Sequence, residues 1–477
     1  MNRIRPLVIP LGILILLVAA WGPAWDPAHL SPEGQKAIGV FAFCLLFWMT
    51  QPIPLAITSL MIFAIVPLLG ISEPKEVFSL FGSNTVFFIL GALIMAGGFV
   101  KSGLSRRMAV LFLASFGRTP DLLLLGVLLS SAFLACLMPE HGVAALLYPV
   151  AIQIADSLNL EKGKSNYGKA LFFALAWGSI IGGITTFLGG ARNPLALELY
   201  QQFMERHQLQ AGSMVSFVDW VIAALPVTLV MLFFAYWVLR ILYPPEIDDV
   251  RAAHQVLEED IREMGPISRD EMKVGAVYLV TVIGWVISGY KGDLAGNLAI
   301  IAILGSAGLF LLGTLTWKDC QQHVNWGVIL MYAGAIALGK TLDGTDAGQW
   351  LVNFTLSGHQ FGPVLLLAGL MAFSKLLAEG ISNAAAVTII LPLALEMGLE
   401  AGIPLVTIVY AVAIPCGLVF CLPMGTPPMA ICYDSDYFRI RDSLFSGTIM
   451  NIISWIVVVL AGIYYWPFAV ESPPIIP

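Results

Sequence analysis

Long apolar runs separated by short polar connections dominate the chain. They fall near residues 6–22, 35–50, 53–71, 86–100, 107–117, 120–138, 143–157, 168–188, 213–243, 272–290, 296–316, 326–340, 361–378, 385–397, 403–422 and 444–468. A bilayer-spanning helix needs about 20 apolar residues, so some runs are long enough to cross alone and others are not. Two pairs of shorter runs, 120–138 with 143–157 and 361–378 with 385–397, each read as a re-entrant hairpin followed by a partial helix. The pattern predicts an all-α polytopic membrane protein with about 11 transmembrane helices, two re-entrant helical hairpins and helices broken at the midplane.

The pattern also repeats, at a spacing of about 240 residues. Val86–Gly103 (VFFILGALIMAGGFVKSG) lies over Gly327–Gly344 (GVILMYAGAIALGKTLDG), with Gly98 on Gly339 and Gly103 on Gly344. Each half then breaks ten residues before a proline: Pro139-Glu140-His141-Gly142 before Pro149, and Ser382-Asn383-Ala384-Ala385 before Pro392. A second break follows in each, Gly189-Gly190-Ala191-Arg192-Asn193-Pro194 and Gly425-Thr426-Pro427-Pro428-Met429. Backbone that leaves the helical ladder at membrane depth must be satisfied by protein or line a wet cavity, so such breaks point to a transporter's binding site.

The expected divisions are 1–72 (N-terminal scaffold and dimerisation helices), 73–243 (first repeat, tip at 139–142), 244–271 (cytoplasmic linker), 272–316 (connecting helices), 317–468 (second repeat, tip at 382–385) and 469–477 (external tail). Arg3 and Arg5 ahead of the first apolar run place the N-terminus in the cytoplasm by the positive-inside rule. No small-x-small site follows that run, so it reads as a helix of the mature protein rather than a signal peptide. The cation-free tail from Glu471 to Pro477 suits the outside, giving an odd number of crossings and hence inverted repeats, with a parallel repeat as the alternative.

Composition agrees: 58% of residues are hydrophobic, 12% are charged and the mean hydropathy is +0.86, values outside the range of soluble chains. The net charge of −7 gathers in loops, chiefly 246–271, and no basic tract suits nucleic acid. The six cysteines form no Cys-x-x-Cys pair and read as small hydrophobes. Trp21, Trp48, Trp317, Trp455 and Trp466 fit interfacial belts and call for no cofactor.

Glu379-x-x-Ser382-Asn383 with Pro392, Leu422-Pro423-x-Gly425-Thr426-Pro427-Pro428, and Tyr437-Phe438-Arg439-Ile440-Arg441-Asp442 carry a family likeness. In these motifs the chain resembles the divalent anion/sodium symporters, the sodium-dependent dicarboxylate and sulfate transporters, from about residue 35 to residue 466. The resemblance implies an elevator-type carrier, dimeric, in the cell inner membrane, with a Ser-Asn-Thr motif at each hairpin tip. It implies that Ser382, Asn383, Thr426 and Pro427 face the substrate, and that Asn383 and the Gly425 region hold sodium. Ala384 stands where the family usually has Thr.

The first half departs further. Pro139-Glu140-His141 occupies the Ser-Asn-Thr register, and Gly190-Ala191-Arg192-Asn193 replaces Thr-Pro-Pro-Asn. Ser83-Asn84-Thr85 matches the motif but precedes the wrong helix and reads as a decoy. Ionisable groups at membrane depth face cavities and pair, so Glu140 and Arg192 are expected to meet. Arg192 then stands in for the first-half sodium with Glu140 as its counter-ion, while His141 contacts the anion or carries a proton. Asn193 joins the substrate-facing set. The competing reading is a structural ion pair with His141 capping a helix. Glu379 is expected to brace its hairpin, Lys375 to snorkel, and Thr185 and Thr186 to support the first site.

These residues predict a secondary active transporter for a small divalent anion, coupled to sodium and open to proton coupling. The alternatives are a sodium-independent or proton-coupled exchanger or permease of the wider ion-transporter superfamily, and an intramembrane enzyme using Glu140 and His141. The last lacks any accompanying Ser-His, paired Asp or His-Glu-x-x-His arrangement.

Overall fold

The apolar runs become helices capped by the small polar and proline residues between them. A computed structural model of the chain describes residues 5–116, 118–209, 215–290, 294–356, 362–423 and 425–469. Arg3 and the tail from Glu471 onward lie outside the described residues. Helices α1 (Arg5–Trp21), α2 (Pro32–Thr50), α3 (Leu55–Leu68) and α4 (Pro74–Ser79) lead into the first repeat. That repeat comprises α5 (Asn84–Lys101), α6 (Leu104–Ala114), α7 (Pro120–Ala135), α8 (Glu140–Ser157), α9 (Asn166–Gly183), α10 (Arg192–Arg206) and α11 (Phe217–Leu242). After α12 (Arg251–Met264) come α13 (Arg269–Tyr290), α14 (Leu294–Leu311) and α15 (Trp317–His323). The second repeat comprises α16 (Trp326–Gly344), α17 (Ala347–Leu356), α18 (Pro363–Gly380), α19 (Asn383–Glu400), α20 (Leu405–Gly417), α21 (Pro427–Tyr433) and α22 (Ile440–Leu460).

Local chemistry sets the starts. Ser31, Ser83, Thr119, Ser165, Ser216, Thr316 and Ser382 each accept a hydrogen bond from the backbone N–H two or three positions into the helix they open. Pro32, Pro74, Pro120, Pro363 and Pro427 open helices where a missing N–H does no harm. Among the described residues, six helical stretches are long and apolar enough to cross a membrane, and α1, α3, α7, α14 and α20 contain shorter apolar segments. The expected partial helices after the tips are fuller than their apolar runs: α8 and α19 each have 18 residues, and α19 carries Pro392 inside it and runs on to Glu400.

The packing exchanges the two halves. Helix α3 lies on α16 as α14 lies on α5; α10 packs on α19 as α21 packs on α8; α20 meets α10 as α9 meets α21. Lys101 at the end of α5 is paired with Asp319, just before α16 begins. Gly344 at the end of α16 shares a cavity wall with Val77, just before α5 begins. Helices α5 and α16 are therefore antiparallel, and the operation relating the halves turns one over relative to the other. The repeats are inverted.

One end of the bundle is tied to the 244–271 segment. Arg107 donates from Nε to Glu271 Oε1 at 2.7 Å, from Nη1 to the Gly265 carbonyl at 2.8 Å and from Nη2 to that of Met264 at 3.0 Å, while Arg106 pairs with Asp260 at 3.1 Å. At the opposite end Arg206 pairs with Asp343 at 2.6 Å and contacts Asp346, and His207 Nε2 lies 3.4 Å from Glu396 Oε1.

Candidate functional site

One helix break approaches each hairpin turn, and the two turns are pinned by different chemistry. In the first half Thr186 Oγ1 donates to the Cys136 carbonyl at 2.7 Å and accepts from the N–H of Leu188 and Gly189 at 3.2 and 3.3 Å. The Glu140 N–H donates to the Gly189 carbonyl at 2.9 Å. In the second half Glu379 does the pinning. Its Oε1 accepts from the N–H of Phe420 and Cys421 and its Oε2 from that of Leu422, each at 2.9 Å, and Asn451 Nδ2 donates to Oε1 at 2.5 Å. Glu379 therefore braces the hairpin against the break after α20.

Glu140 and Arg192 are the first residues of α8 and α10, and they meet: Arg192 Nη1 donates to Glu140 Oε2 at 3.1 Å, with side chains 7% and 3% exposed. Three glycines make the space. A Cβ on Gly183 would lie 2.3 Å from Glu140 Oε2, one on Gly190 2.5 Å from Arg192 Nη1, and one on Gly417 2.4 Å from both Nε and Nη2 of Arg192. Gly417 ends α20, so the guanidinium lies where a first-half helix start touches a second-half helix end. Arg192 Nε and Nη2 are buried with no hydrogen-bond partner in the protein.

A cavity of about 470 Å³ collects the site. Glu140, His141 and Arg192 line it from the first half, and Ser382, Asn383, Gly425, Thr426 and Pro427 from the second. The starts of α8, α10 and α19 thus converge, each bringing the positive end of a helix dipole of 15 residues or more. Asn383 Oδ1 and Thr426 Oγ1 are buried acceptors without protein partners. A guanidinium and unpaired oxygen acceptors around one cavity suit an anion beside a hard cation.

Asn193 is the exception among the expected site residues. Its side chain is turned behind the break, where Nδ2 donates to the carbonyls of Gly183 and Thr186 at 3.2 and 2.7 Å, so it closes the end of α9 and does not line the cavity. Ser83 caps α5 and Thr85 Oγ1 donates to Glu198 Oε2 at 2.7 Å, away from the cavity. Thr185 shares a 2.9 Å hydrogen bond with Thr228. Lys375 does not snorkel; it is 6% exposed and donates to the Leu418 carbonyl. Sequence reasoning missed Gln51 and Tyr332 on the cavity wall. Gln51 ends α2 in the left-handed region (φ 46°), and its signal was a polar residue breaking an apolar run ahead of Pro52.

A neighbouring cavity of about 680 Å³ shares Leu93, Pro139 and His141 with the first and runs past Gln153, Gln322, His323 and Asn325 to Arg106. Among the described residues no carboxylate lines it. The cavity at the opposite end, between Glu73, Glu205, Arg206, Lys340 and Asp343, shares no lining residue with the central one.

Across residues 2–471 the chain matches the family described as the sodium:sulfate symporter transmembrane region. The sodium-dependent dicarboxylate transporter SdcS of Staphylococcus aureus strain bovine RF122 / ET3-1 is 25% identical over 465 residues, covering 93% of this chain and 88% of the relative. SdcS of strain NCTC 8325 / PS 47 is 24% identical over the same coverage. The crystal structure of the Alcanivorax borkumensis YdaH transporter, described as having an unusual topology, aligns with a TM-score of 0.54 at 12% identity, over 83% of this chain and 86% of that one; this likeness concerns the fold alone.

Proposed function

The chain belongs to the sodium:sulfate symporter family, and from that premise we propose that it imports a small divalent anion, a dicarboxylate or sulfate, with sodium bound at the second-half break and Arg192 replacing the sodium of the first. The observation that carries the reading is the cavity shared by both tips, lined by Arg192 on one side and by Asn383 and Thr426 on the other, each residue holding buried polar atoms without a protein partner. Guanidinium donors fork onto carboxylate or sulfate oxygens, and the helix starts each add about 0.3–1 kcal/mol of attraction for negative charge.

Glu140 holds Arg192 through Nη1 as its counter-ion. A divalent anion therefore still needs added positive charge, which sodium at the second-half break supplies. The anion enters and leaves by the carboxylate-free cavity that runs from His141 to Arg106. On this reading the end that carries the 244–271 segment is the cytoplasmic face, in keeping with Lys101, Arg106 and Arg107 at that end. Exchange of access to the end bearing Arg206 and Asp343 follows from the inverted halves moving against one another.

The test is uptake into proteoliposomes of labelled succinate, malate and sulfate, with sodium and pH gradients imposed separately. The reading expects at least one of these anions to accumulate when sodium is raised outside. Uptake indifferent to sodium with every anion contradicts it.

A further inference from the structure

Lys375 is buried one helical turn before Glu379, on the hairpin helix α18. Its ammonium donates to the carbonyl of Leu418, the residue that follows α20, and Nζ lies 5.6 Å from the centre of the Phe420 ring. Among the described residues no carboxylate forms an ion pair with it, because Glu379 is committed to three backbone N–H groups and Asn451. The ionisable groups facing Lys375 are Glu379 on its own helix, Cys416 of α20 and Cys421 of the break, and Arg192 of α10 lies against Gly417, next to Leu418. Of its other neighbours α19 and α22, the latter contributes the neutral Asn451.

The matching place in the first half is closed without charge. There Ile184, which follows α9 as Leu418 follows α20, gives its carbonyl to the indole N–H of Trp220 at 3.0 Å, and the carbonyls of Gly183 and Thr186 go to the neutral amide of Asn193. An amide suffices to close a helix end, whereas a buried ammonium with one carbonyl and one ring face is a costly way to do it. The C-terminal end of a broken helix is, however, where a carrier of inverted repeats holds a coupling cation.

We propose that Lys375 is a proton-coupling residue, its ammonium acting at the end of α20 as a cation that can be charged and discharged during the transport cycle. The inference rests on the reading of the chain as a cation-coupled anion carrier. Charging adds a proton from water to the free amine and discharging returns it to water, with no other bond made or broken. Arginine cannot take this part because it stays charged at any accessible pH, while lysine can. The consequence reaches the cavity along one stretch of chain: Lys375 holds Leu418, Glu379 holds residues 420–422, and Pro423, Gly425 and Thr426 line the cavity wall. Gly417, next to Leu418, cradles the guanidinium of Arg192.

The experiment compares full-length wild type, K375M and K375R in proteoliposomes with sodium equal on both sides, the membrane potential clamped and a pH dye inside. Wild-type exchange of labelled succinate or sulfate without any gradient tests the carrier reading by itself. The Lys375 proposal expects wild-type anion entry to bring protons in, and expects both variants to lose that proton movement for whatever anion flux they retain. Proton movement with the anion in either variant at the wild-type ratio overturns it, as does wild-type anion flux without protons. If no anion is exchanged, or a variant is inactive, thermal melting of wild type and K375R from about pH 5 to about pH 10 decides the matter. A melting difference that changes with pH supports a titrating Lys375, and one that stays constant overturns it.

Discussion

The first break carries its charge at the cavity and the second carries it one layer behind. Around Arg192 an ion pair stands on the cavity wall, and the helix end behind it is closed by the neutral Asn193. Around Asn383 and Thr426 the wall is neutral, and the helix end behind it is held by Lys375 and Glu379. Inverted repeats thus share a backbone plan while distributing fixed charge differently. A permanently charged guanidinium on the wall removes the need for one mobile cation, whereas a neutral wall with free oxygens keeps that need.

The largest expected effect comes from breaking the pair on one side. R192M leaves Glu140 buried without its partner, which costs about 3–5 kcal/mol, and should lower the melting temperature and abolish uptake. E140Q/R192M removes both charges and should recover most of the stability, since exchanging a buried pair for neutral groups is often near break-even. Recovery of uptake in that double variant would make the pair structural rather than functional.

Next in size is the brace of the second break. E379A strips acceptors from the N–H groups of Phe420, Cys421 and Leu422, in hydrogen bonds that are only partly buried and that water can replace, so the loss of stability stays below that of R192M. It should raise the sodium concentration needed for half-maximal uptake, and unchanged sodium dependence would detach Glu379 from the cation site. Smaller again is G417A, whose Cβ would fall 2.4 Å from two nitrogens of Arg192. Displacing the guanidinium should weaken anion affinity several-fold and leave sodium affinity in place, a split that steady-state uptake can read. The smallest is S382A, which removes the cap on the Ala385 N–H and should cost about 1 kcal/mol in thermal melting.

Much of the architecture was readable in the run of letters because apolar length and small-residue interruptions are local properties. The overlay of residues 86–103 on 327–344 anticipated helices α5 and α16, which prove antiparallel in the packing. Glu140 and Arg192 could be paired in advance because both sit at interruptions of apolar runs. Side-chain direction was not readable. Asn193 follows Arg192 directly yet turns behind the break, because the α9 carbonyls there need donors. Lys375 looked long enough to reach an interface, and only the fold brings Leu418 to it. Gly183 and Gly417 are unremarkable in sequence, and their role follows from a side chain more than 40 residues away in one case and 200 in the other on the order of chain spacing alone.

The central claim is that Arg192 supplies a fixed positive charge to an anion cavity shared by both halves. Equilibrium binding of labelled succinate and sulfate to purified wild type, R192K and R192A, repeated across a sodium titration, tests it most directly. The account predicts tight binding with a hyperbolic sodium dependence in the wild type, weaker binding in R192K and at least about a tenfold loss in R192A, as expected for a charge-assisted bond. Anion affinity and sodium dependence unchanged in R192A would contradict it.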